Sequence, residues 1–283
     1  MALTVNTNIA SLSVQKNLNR SSDALSTSMM RLSSGLRINS AKDDAAGLQI
    51  ATLMNSQIRG QNVAIRNASN GISFAQAAEG ALNETTSILQ RMRELALQAR
   101  DDNNGIEQRT ALNSEFQTMS NELTRIAEST KLNGRTLIDG NAGVMELQVG
   151  SDTGDSNHIT LDLSNKFDAT NLSVASGMIS ISGGDNPTAH SAADTAISAI
   201  DAALAKVTAT RADLGAAQNR LTSTISNLQN LNENAAAALG RIQDVDFAAE
   251  TAELTKQQTL QQASTAILAQ ANQLPSAVLK LLQ

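Results

Sequence analysis

The chain has 283 residues, a formal net charge of −6, four Phe as its entire aromatic content, and no Cys, Trp or Tyr. The absence of cysteine excludes disulfides, thiolate metal sites and cysteine nucleophiles. The acidic balance argues against a nucleic-acid partner, and no stretch approaches the roughly 20 apolar residues that a membrane span requires. A core without aromatic bulk has to be filled by aliphatic side chains, and a chain with two Pro can form long uninterrupted helices.

An apolar stripe near the start predicts the first helix. Steps of seven, four, three and four residues place its members on one helical face: Leu18, Leu25, Met29, Leu32 and Leu36. Gly35 lowers helix propensity at the end of this stripe. Ser40, followed three residues later by Asp43, predicts a capping box that opens a second helix.

The second predicted helix is long and runs from about Asp44 to Arg100. Ile58, Ile65 and Ile72 repeat every seven residues, and a second apolar series follows three residues out of phase, which is typical of a coiled-coil seam. The segment 101–105 predicts a turn. A third helix follows, because apolar residues from Leu112 to Ile126 are again spaced by three and four.

The middle of the chain changes its period to two. Alternating apolar residues over 145–149 and 159–163 predict two half-buried strands joined as a β-hairpin. From Phe167 to Ser191 the chain is rich in Ser, Gly and Asn, and we expect a surface loop with one short strand around 178–181.

The next apolar seam runs from Ile197 to Ile242 in steps of three and four, and predicts a coiled-coil helix about 70 Å long. Such a helix requires an equally long partner, which we expect to be the helix of 44–100. Polar residues interrupt the seam at Arg211, Gln218 and Asn232. One interpretation is that these residues set the registry of the helices or face solvent. The other is that they take part in switching between subunit packings, and the sequence leaves both interpretations open.

The last helix carries its own heptad stripe, with Pro275 expected to bend it near its end. Its members are Leu260, Ile267, Leu274, Val278 and Leu281. Each terminal helix has little of the chain to pack on other than the opposite terminus, so apolar surface is left over as an interaction surface. The alternative is that the termini complete a monomeric bundle.

Several segments resemble bacterial flagellin closely. They are MRLSSGLRINSAKDDAAGLQIA (30–51), NASNGIS (67–73), EGALNE (79–84), LQRMRELALQ (89–98) and LQQASTAILAQANQLPSAVLKLL (260–282). The resemblance is colinear and covers residues 1–165 and 190–283. It implies a mainly α fold in which long antiparallel coiled-coil helices form a rod with one small β-hairpin, with discontinuous domains built from both termini.

The resemblance also implies domain boundaries. An inner terminal domain is expected from 1–44 plus 244–283, and a rod domain from 45–172 plus 190–243, with its hairpin at about 144–163. Residues 173–189 are expected to be a short variable surface loop, which makes this a short flagellin without large outer domains.

The implied function is that of a structural subunit that polymerises into the flagellar filament for swimming motility. The ten stripe residues of the two terminal helices are then the assembly seam. The alternative functions are a soluble coiled-coil adhesin and a hook-associated-type junction protein.

The resemblance implies protein partners and a route out of the cell. Further copies of the chain, an export chaperone bound at 244–283, a filament cap and hook-associated junction proteins are the expected partners. The resemblance further implies uncleaved export by the flagellar type III apparatus to an extracellular flagellum. The first twenty residues fit this route, because they lack the charged segment followed by an apolar one that marks a secretory signal peptide.

By the same resemblance, Arg91, Leu95, Gln98 and Glu115 match residues bound by the vertebrate Toll-like receptor for flagellin; packing is the other interpretation. Asp43, Gly47 and Leu48 lie in the stretch recognised by the plant flagellin receptor, with capping and packing as the alternative. Flagellins are often O-glycosylated where this chain has Ser173, Ser176, Ser180, Ser182, Thr188 and Ser191.

No catalytic function is expected, and neither is a metal or cofactor. The only two His are His158 and His190, and no HExxH, phosphate-binding loop or dinucleotide fingerprint occurs. Asp152 and Asp155 lack the spacing of a calcium-binding loop and suit a hairpin turn.

Overall fold

The computed structural model describes residues 7–183 and 185–281, with side chains as far as residue 273. Five α-helices occur in this part of the chain: α1 (Ile9–Ser34), α2 (Ala45–Ala99), α3 (Ile106–Ser129), α4 (Asn186–Gln243) and α5 (Phe247–Leu281). The strands form two antiparallel pairs, β1 (Lys131–Leu132) with β2 (Arg135–Thr136) and β3 (Gly143–Gln148) with β4 (His158–Leu163). The predicted mainly α fold with a small hairpin is confirmed.

The junction between α1 and α2 shows where local sequence signals succeed and fail. Gly35 ends α1 in the left-handed conformation, with φ +73° and its N–H donating to the Arg31 carbonyl at 2.8 Å. The predicted capping box is wrong. Asp44 caps α2 by accepting from the Gly47 N–H at 2.8 Å, whereas Ser40 and Asp43 bond each other in the turn before the helix.

The described residues cluster into two compact units, Met1–Ile58 with Glu233–Gln283 and Arg59–Asn232. The first unit is discontinuous, because it is built from both ends of the chain, whereas the second is a single continuous segment. The functional division at 44/45 and 243/244, expected from the resemblance, stays a prediction.

Within the unit Arg59–Asn232, α2 and α4 run antiparallel. Polar contacts occur in reverse order along the two helices: Asn62 with Asn232, Glu79 with Gln218, Arg93 with Asp201 and Arg100 with Asp194. The long partner expected for α4 is therefore α2. Its Ala-rich face is buried at Ala68, Ala75 and Ala78, and small side chains allow the close approach of neighbouring elements.

The hairpin β3–β4 covers part of α2. Met145 faces Leu161, Leu147 faces Ile159, and Val149 follows directly after β3. A Cβ at Gly71 would lie 2.3 Å from Leu147 Cδ1, so a glycine in α2 provides the space that the hairpin occupies.

The expectation of a surface loop over 167–191 is wrong in two respects. Phe167, Leu172, Val174, Ile179 and Ile181 are buried in the main core. The helix α4 begins at Asn186, inside the predicted loop, and the strand expected around 178–181 is replaced by an isolated bridge between Ser176 and Ile179.

One face of α3 holds this segment in place. Polar side chains spaced by four, three and four residues bond its backbone at Ile181 N, Ile179 O, Val174 O and Ala169 N; they are Asn113, Gln117, Ser120 and Thr124. These bonds satisfy backbone groups that would otherwise be buried without partners. The helix thus acts as a scaffold for an irregular segment.

The small hairpin β1–β2 was missed. Its two-residue turn is Asn133-Gly134, and both residues have positive φ, at +52° and +77°. Asn-Gly is the preferred dipeptide for such a turn, so this dipeptide is the sequence signal for the hairpin. Strands of two residues are too short to show the alternating apolar pattern of a strand.

Candidate assembly surfaces and recognition sites

The terminal helices α1 and α5 pair with each other within the unit Met1–Ile58 with Glu233–Gln283. Asn8 Nδ2 donates to the Ala271 carbonyl at 2.8 Å, and Ser11 Oγ donates to Asn272 Oδ1 at 2.8 Å. At the other end, the Val245 N–H donates to the Gly35 carbonyl at 3.0 Å. The two helices are therefore antiparallel over most of their length.

Small side chains are the most deeply buried ones where these helices meet. Ser21 and Ser28 of α1 and Ala271 of α5 are buried. Along α5 the least exposed positions are spaced by three and four residues, from Glu250 to Ala271. Arg31 lies 3.6 Å from Glu250, with the two side chains 31% and 13% exposed, so this ion pair marks the register of the pair.

The predicted seam residues of the terminal helices divide into two groups. Leu18, Leu25, Leu32 and Leu36 are half-buried, whereas Met29, Leu260 and Ile267 are exposed. The α5 stripe is therefore not the face that meets α1. The side chains of Leu274, Val278 and Leu281 lie outside the described residues.

Large apolar side chains of α1 and α5 face solvent instead. We call them the exposed apolar set: Ile9, Leu12, Met29, Met30, Phe247, Leu260 and Ile267, each 43–71% exposed. A concentration of exposed apolar side chains on one pair of helices is typical of an interaction surface. The sequence stripes missed Ile9, Leu12, Met30 and Phe247, because these residues lie outside the heptad repeats.

The four candidate residues for the Toll-like receptor lie in different environments. Arg91 bonds Glu115 Oε1 at 2.8 Å and Glu94 at 3.1 Å, and these carboxylates raise the pKa of its guanidinium, Glu115 first. Gln98 is exposed. Leu95 is fully buried in the core, so its environment supports the packing interpretation.

The three candidates for the plant receptor lie at the start of α2. Asp43 is exposed, and hydrogen bonds from the Ser40 hydroxyl, then from the Ser40 and Asn39 N–H groups, lower the pKa of its carboxyl. Leu48 is half-buried, and Gly47 is buried with Ile38 Cδ1 2.6 Å from where a Cβ would stand. Asp43 therefore shapes the turn, and Gly47 allows the helix to approach Ile38.

The polar residues in the α4 seam have specific surroundings. Gln218 Nε2 donates to Glu79 Oε2 at 2.8 Å, and Asn232 Nδ2 donates to Asn62 Oδ1 at 2.7 Å, which fits the registry interpretation. Arg211 is half-buried, and its Nε is buried without a hydrogen-bond partner in the described structure.

The six hydroxyl candidates for glycosylation differ in access. Ser173, Ser176 and Ser191 are exposed. Ser180 is also exposed but donates to Asn113 and contacts Ser182, which is half-buried. Thr188 bonds Asp185 at the start of α4, where the pair caps the helix.

The described part of the chain contains no group of three or more His, Asp or Glu side chains arranged to hold a metal ion. Within the same residues, every helix falls short of the length and apolarity needed to cross a membrane.

Two family models match the chain in the order in which its terminal regions occur. The bacterial flagellin N-terminal helical region matches residues 5–143, and the bacterial flagellin C-terminal helical region matches residues 197–282. Together the two models match well over half of the chain. They cover α1, α2, α3 and α5 completely and most of α4.

Curated relatives match over their full length. Flagellin A of Vibrio cholerae is 39% identical over 379 positions, and polar flagellin C of Vibrio parahaemolyticus is 38% identical over 384 positions, with 100% of both chains covered in each case. Since this chain has 283 residues, these relatives carry insertions relative to it.

Among solved structures, a putative flagellar hook-associated protein from Vibrio parahaemolyticus is similar in fold, with a TM-score of 0.58 and 15% identity. The match covers 71% of this chain and 100% of that chain. The family models and the full-length relatives favour the filament subunit over a junction protein or an adhesin. The chain belongs to the bacterial flagellin family and is a structural subunit of the flagellar filament.

Proposed function

We propose that the chain polymerises by burying the exposed apolar set of α1 and α5 against neighbouring copies. The observation that carries this proposal is that Leu260 and Ile267 face solvent after α1 and α5 have paired, since the buried residues of α5 lie on another face, which includes Ala271. Burying large apolar side chains is the main driving force of association. Contacts between different patches on successive copies would give an open helical polymer, as a filament requires.

The double variant Leu260→Ser, Ile267→Ser tests this proposal. Burial of two such side chains contributes about 2 kcal/mol per subunit, so the critical concentration for polymerisation is expected to rise by at least about tenfold. Sedimentation of purified protein in high salt, with electron microscopy of the pellet, measures it.

The control is Gln262→Ser, Gln270→Ser, which changes two exposed polar residues of the same helix. It imposes a similar loss of helix propensity without removing apolar surface. Equal critical concentrations for the two double variants, at unchanged helix content by circular dichroism, would overturn the proposal.

The remaining partners follow from membership of the family and are part of the same proposal. An export chaperone at 244–283 would cover Leu260 and Ile267 before assembly, and the filament cap and junction proteins would meet the same helices. Uncleaved export by the type III apparatus would deliver the chain to the extracellular filament. Intact-mass measurement of the filament protein checks that nothing is removed, and it also reports glycans at Ser173, Ser176 or Ser191.

We also propose that receptor recognition, where it occurs, uses the surface of Arg91, Gln98 and Glu115, or the turn at Asp43, rather than the buried Leu95. A receptor-reporter assay with monomer and an Arg91→Ala variant tests the first of these. Silence of the unmodified monomer at saturating concentration would exclude it.

A further inference from the structure

The chain contains three Asn-Gly dipeptides, and the structure places them in three different settings. Asn133-Gly134 forms the turn of β1–β2, Asn104-Gly105 precedes α3, and Asn70-Gly71 lies inside α2. Asparagine is a chemically labile residue. Glycine after it leaves the following N–H unhindered by a side chain. The sequence therefore makes the three sites equivalent, and any difference between them has to come from the fold.

The site at Asn133 lies on the surface of the protein. Both turn residues are exposed, and there is open space around Gly134, where a Cβ would meet no atom within 4 Å. In the described structure the Asn133 side chain and the Gly134 N–H make no hydrogen bond within the protein. No hydrogen bond within the described structure therefore has to break before the amide carbon and the next backbone nitrogen meet.

At Asn104 the amide is held. Its Nδ2 donates to the Gln98 carbonyl at 2.6 Å, its own N–H donates to the Asp101 carbonyl at 3.1 Å, and the side chain is half-buried. Breaking one hydrogen bond slows a reaction that requires it by about fivefold or more. The turn is fixed further by Arg109, which donates to the Ala99 and Asp101 carbonyls.

At Asn70 the backbone itself prevents the reaction. Asn70 and Gly71 are interior residues of α2, where helical hydrogen bonding engages the backbone N–H groups. Gly71 is buried, and Leu147 Cδ1 packs against it. Cyclisation at this site would require the helix to unwind and the hairpin β3–β4 to move.

We propose that Asn133 is the spontaneous deamidation site of this protein. The Gly134 nitrogen attacks the Asn133 side-chain amide carbon, a C–N bond forms, the bond to the side-chain nitrogen breaks, and ammonia leaves with the Gly134 proton. Water then opens the resulting cyclic imide at either carbonyl, giving aspartate or isoaspartate. Isoaspartate adds one methylene to the backbone of a two-residue turn, so β1 and β2 can no longer pair in their present register.

The test uses the full-length monomer, incubated in mildly alkaline buffer and digested with trypsin at intervals. Trypsin cleaves after Arg66, Arg100 and Lys131 and so puts the three sites on separate peptides. Mass spectrometry is expected to show the Asn133 peptide converting at least about fivefold faster than the Asn104 peptide, with aspartate and isoaspartate products separated by retention time. The Asn70 peptide is expected to convert slowest.

Incubation of the same chain in concentrated urea is the control. Without the fold, the three sites are expected to convert at similar rates, because each is an Asn followed by Gly. Comparable rates for Asn133 and Asn104 in the folded protein would overturn the proposal. So would a ranking in urea that matches the ranking in buffer, since it would show that neighbouring residues and not the turn set the rates.

Discussion

Arg109 shows how a single side chain can organise a helix junction. Its side chain is 1% exposed, and Nε and Nη2 donate to the carbonyls of Ala99 and Asp101 at 3.0 and 3.3 Å. These carbonyls lie at and just beyond the end of α2, where the helix leaves acceptors without partners. The residue thus links the end of α2 to the first turn of α3.

Arg109→Met is expected to lower the free energy of unfolding by about 2–4 kcal/mol, since it leaves the carbonyl of the buried Ala99 without its charged donor. Urea unfolding measures the loss. The matched control is Arg93→Met, whose exposed pair with Asp201 contributes at most about 1 kcal/mol. Equal losses for the two variants would show that burial of Arg109 has no special effect.

Asp43 gives a pH dependence with a definite sign. Because hydrogen bonds from Ser40 and Asn39 lower the pKa of its carboxyl, the charged form stabilises the folded turn. This contribution is present above the ordinary pKa of an aspartate and is lost as the pH falls through the lowered value. Ser40→Ala removes the hydroxyl donor, which is the largest cause, and is expected to raise the pKa toward the ordinary value. Carboxyl NMR titration of both proteins checks it; an unchanged pKa contradicts the assignment.

At the scale of elements, two glycines of α2 carry different constraints. Gly80 is exposed and a Cβ there would meet nothing within 4 Å, whereas at Gly71 it would lie 2.3 Å from Leu147 and 3.3 Å from Leu221. Both positions are helical, so the propensity gain on changing to Ala is the same. Only packing distinguishes them.

Gly80→Ala is therefore expected to raise the free energy of unfolding by about 0.5–1 kcal/mol. The free energy of unfolding of the Gly71→Ala variant is expected to be at least about 1 kcal/mol lower than that of the Gly80→Ala variant, because the added methyl displaces Leu147 from the α2 surface. Thermal and urea unfolding of the two variants measure the difference. A stability gain of equal size at both positions would mean that the hairpin β3–β4 adjusts freely.

Helices and strands with a repeated apolar pattern could be predicted from the sequence, whereas the irregular segment before α4 could not. The long helices α2 and α4 and the strands β3 and β4 were predicted because each repeats its pattern several times. The segment 167–191, which includes the buried residues of 167–181, was predicted as a surface loop because it is rich in Ser, Gly and Asn. Its burial depends on Asn113, Gln117 and Ser120 of α3, which are distant in sequence and bond its backbone only in the folded chain.

At the scale of the whole molecule, the pairing of the two chain ends can be tested by a cross-link. The chain has no Cys, so Ser11→Cys with Asn272→Cys introduces the only thiols. Since Ser11 Oγ and Asn272 Oδ1 are 2.8 Å apart, oxidation of the monomer is expected to give an intrachain disulfide. Altered migration on a non-reducing gel, without dimers, reports it.

Ser11→Cys with Gln262→Cys is the matched control, because ten residues along α5 correspond to about 15 Å and a disulfide cannot bridge that distance. Intrachain cross-linking of this control, or dimers formed by the Ser11–Asn272 variant, would contradict the antiparallel register of α1 and α5.

By itself, the sequence determined the five helices and the hairpin β3–β4, the partnership of α2 and α4, and the resemblance to flagellin. These depend on repeated patterns or on long colinear matches. The tertiary structure decided which stripe of α5 faces α1. Apolar periodicity pointed to Leu260 and Ile267, but both face solvent, and the residues of α5 that meet α1 lie on another face, which includes the buried Ala271. The α1–α5 contact covers one face of each helix, so the apolar side chains on the other faces remain exposed, where further copies of the chain can bury them.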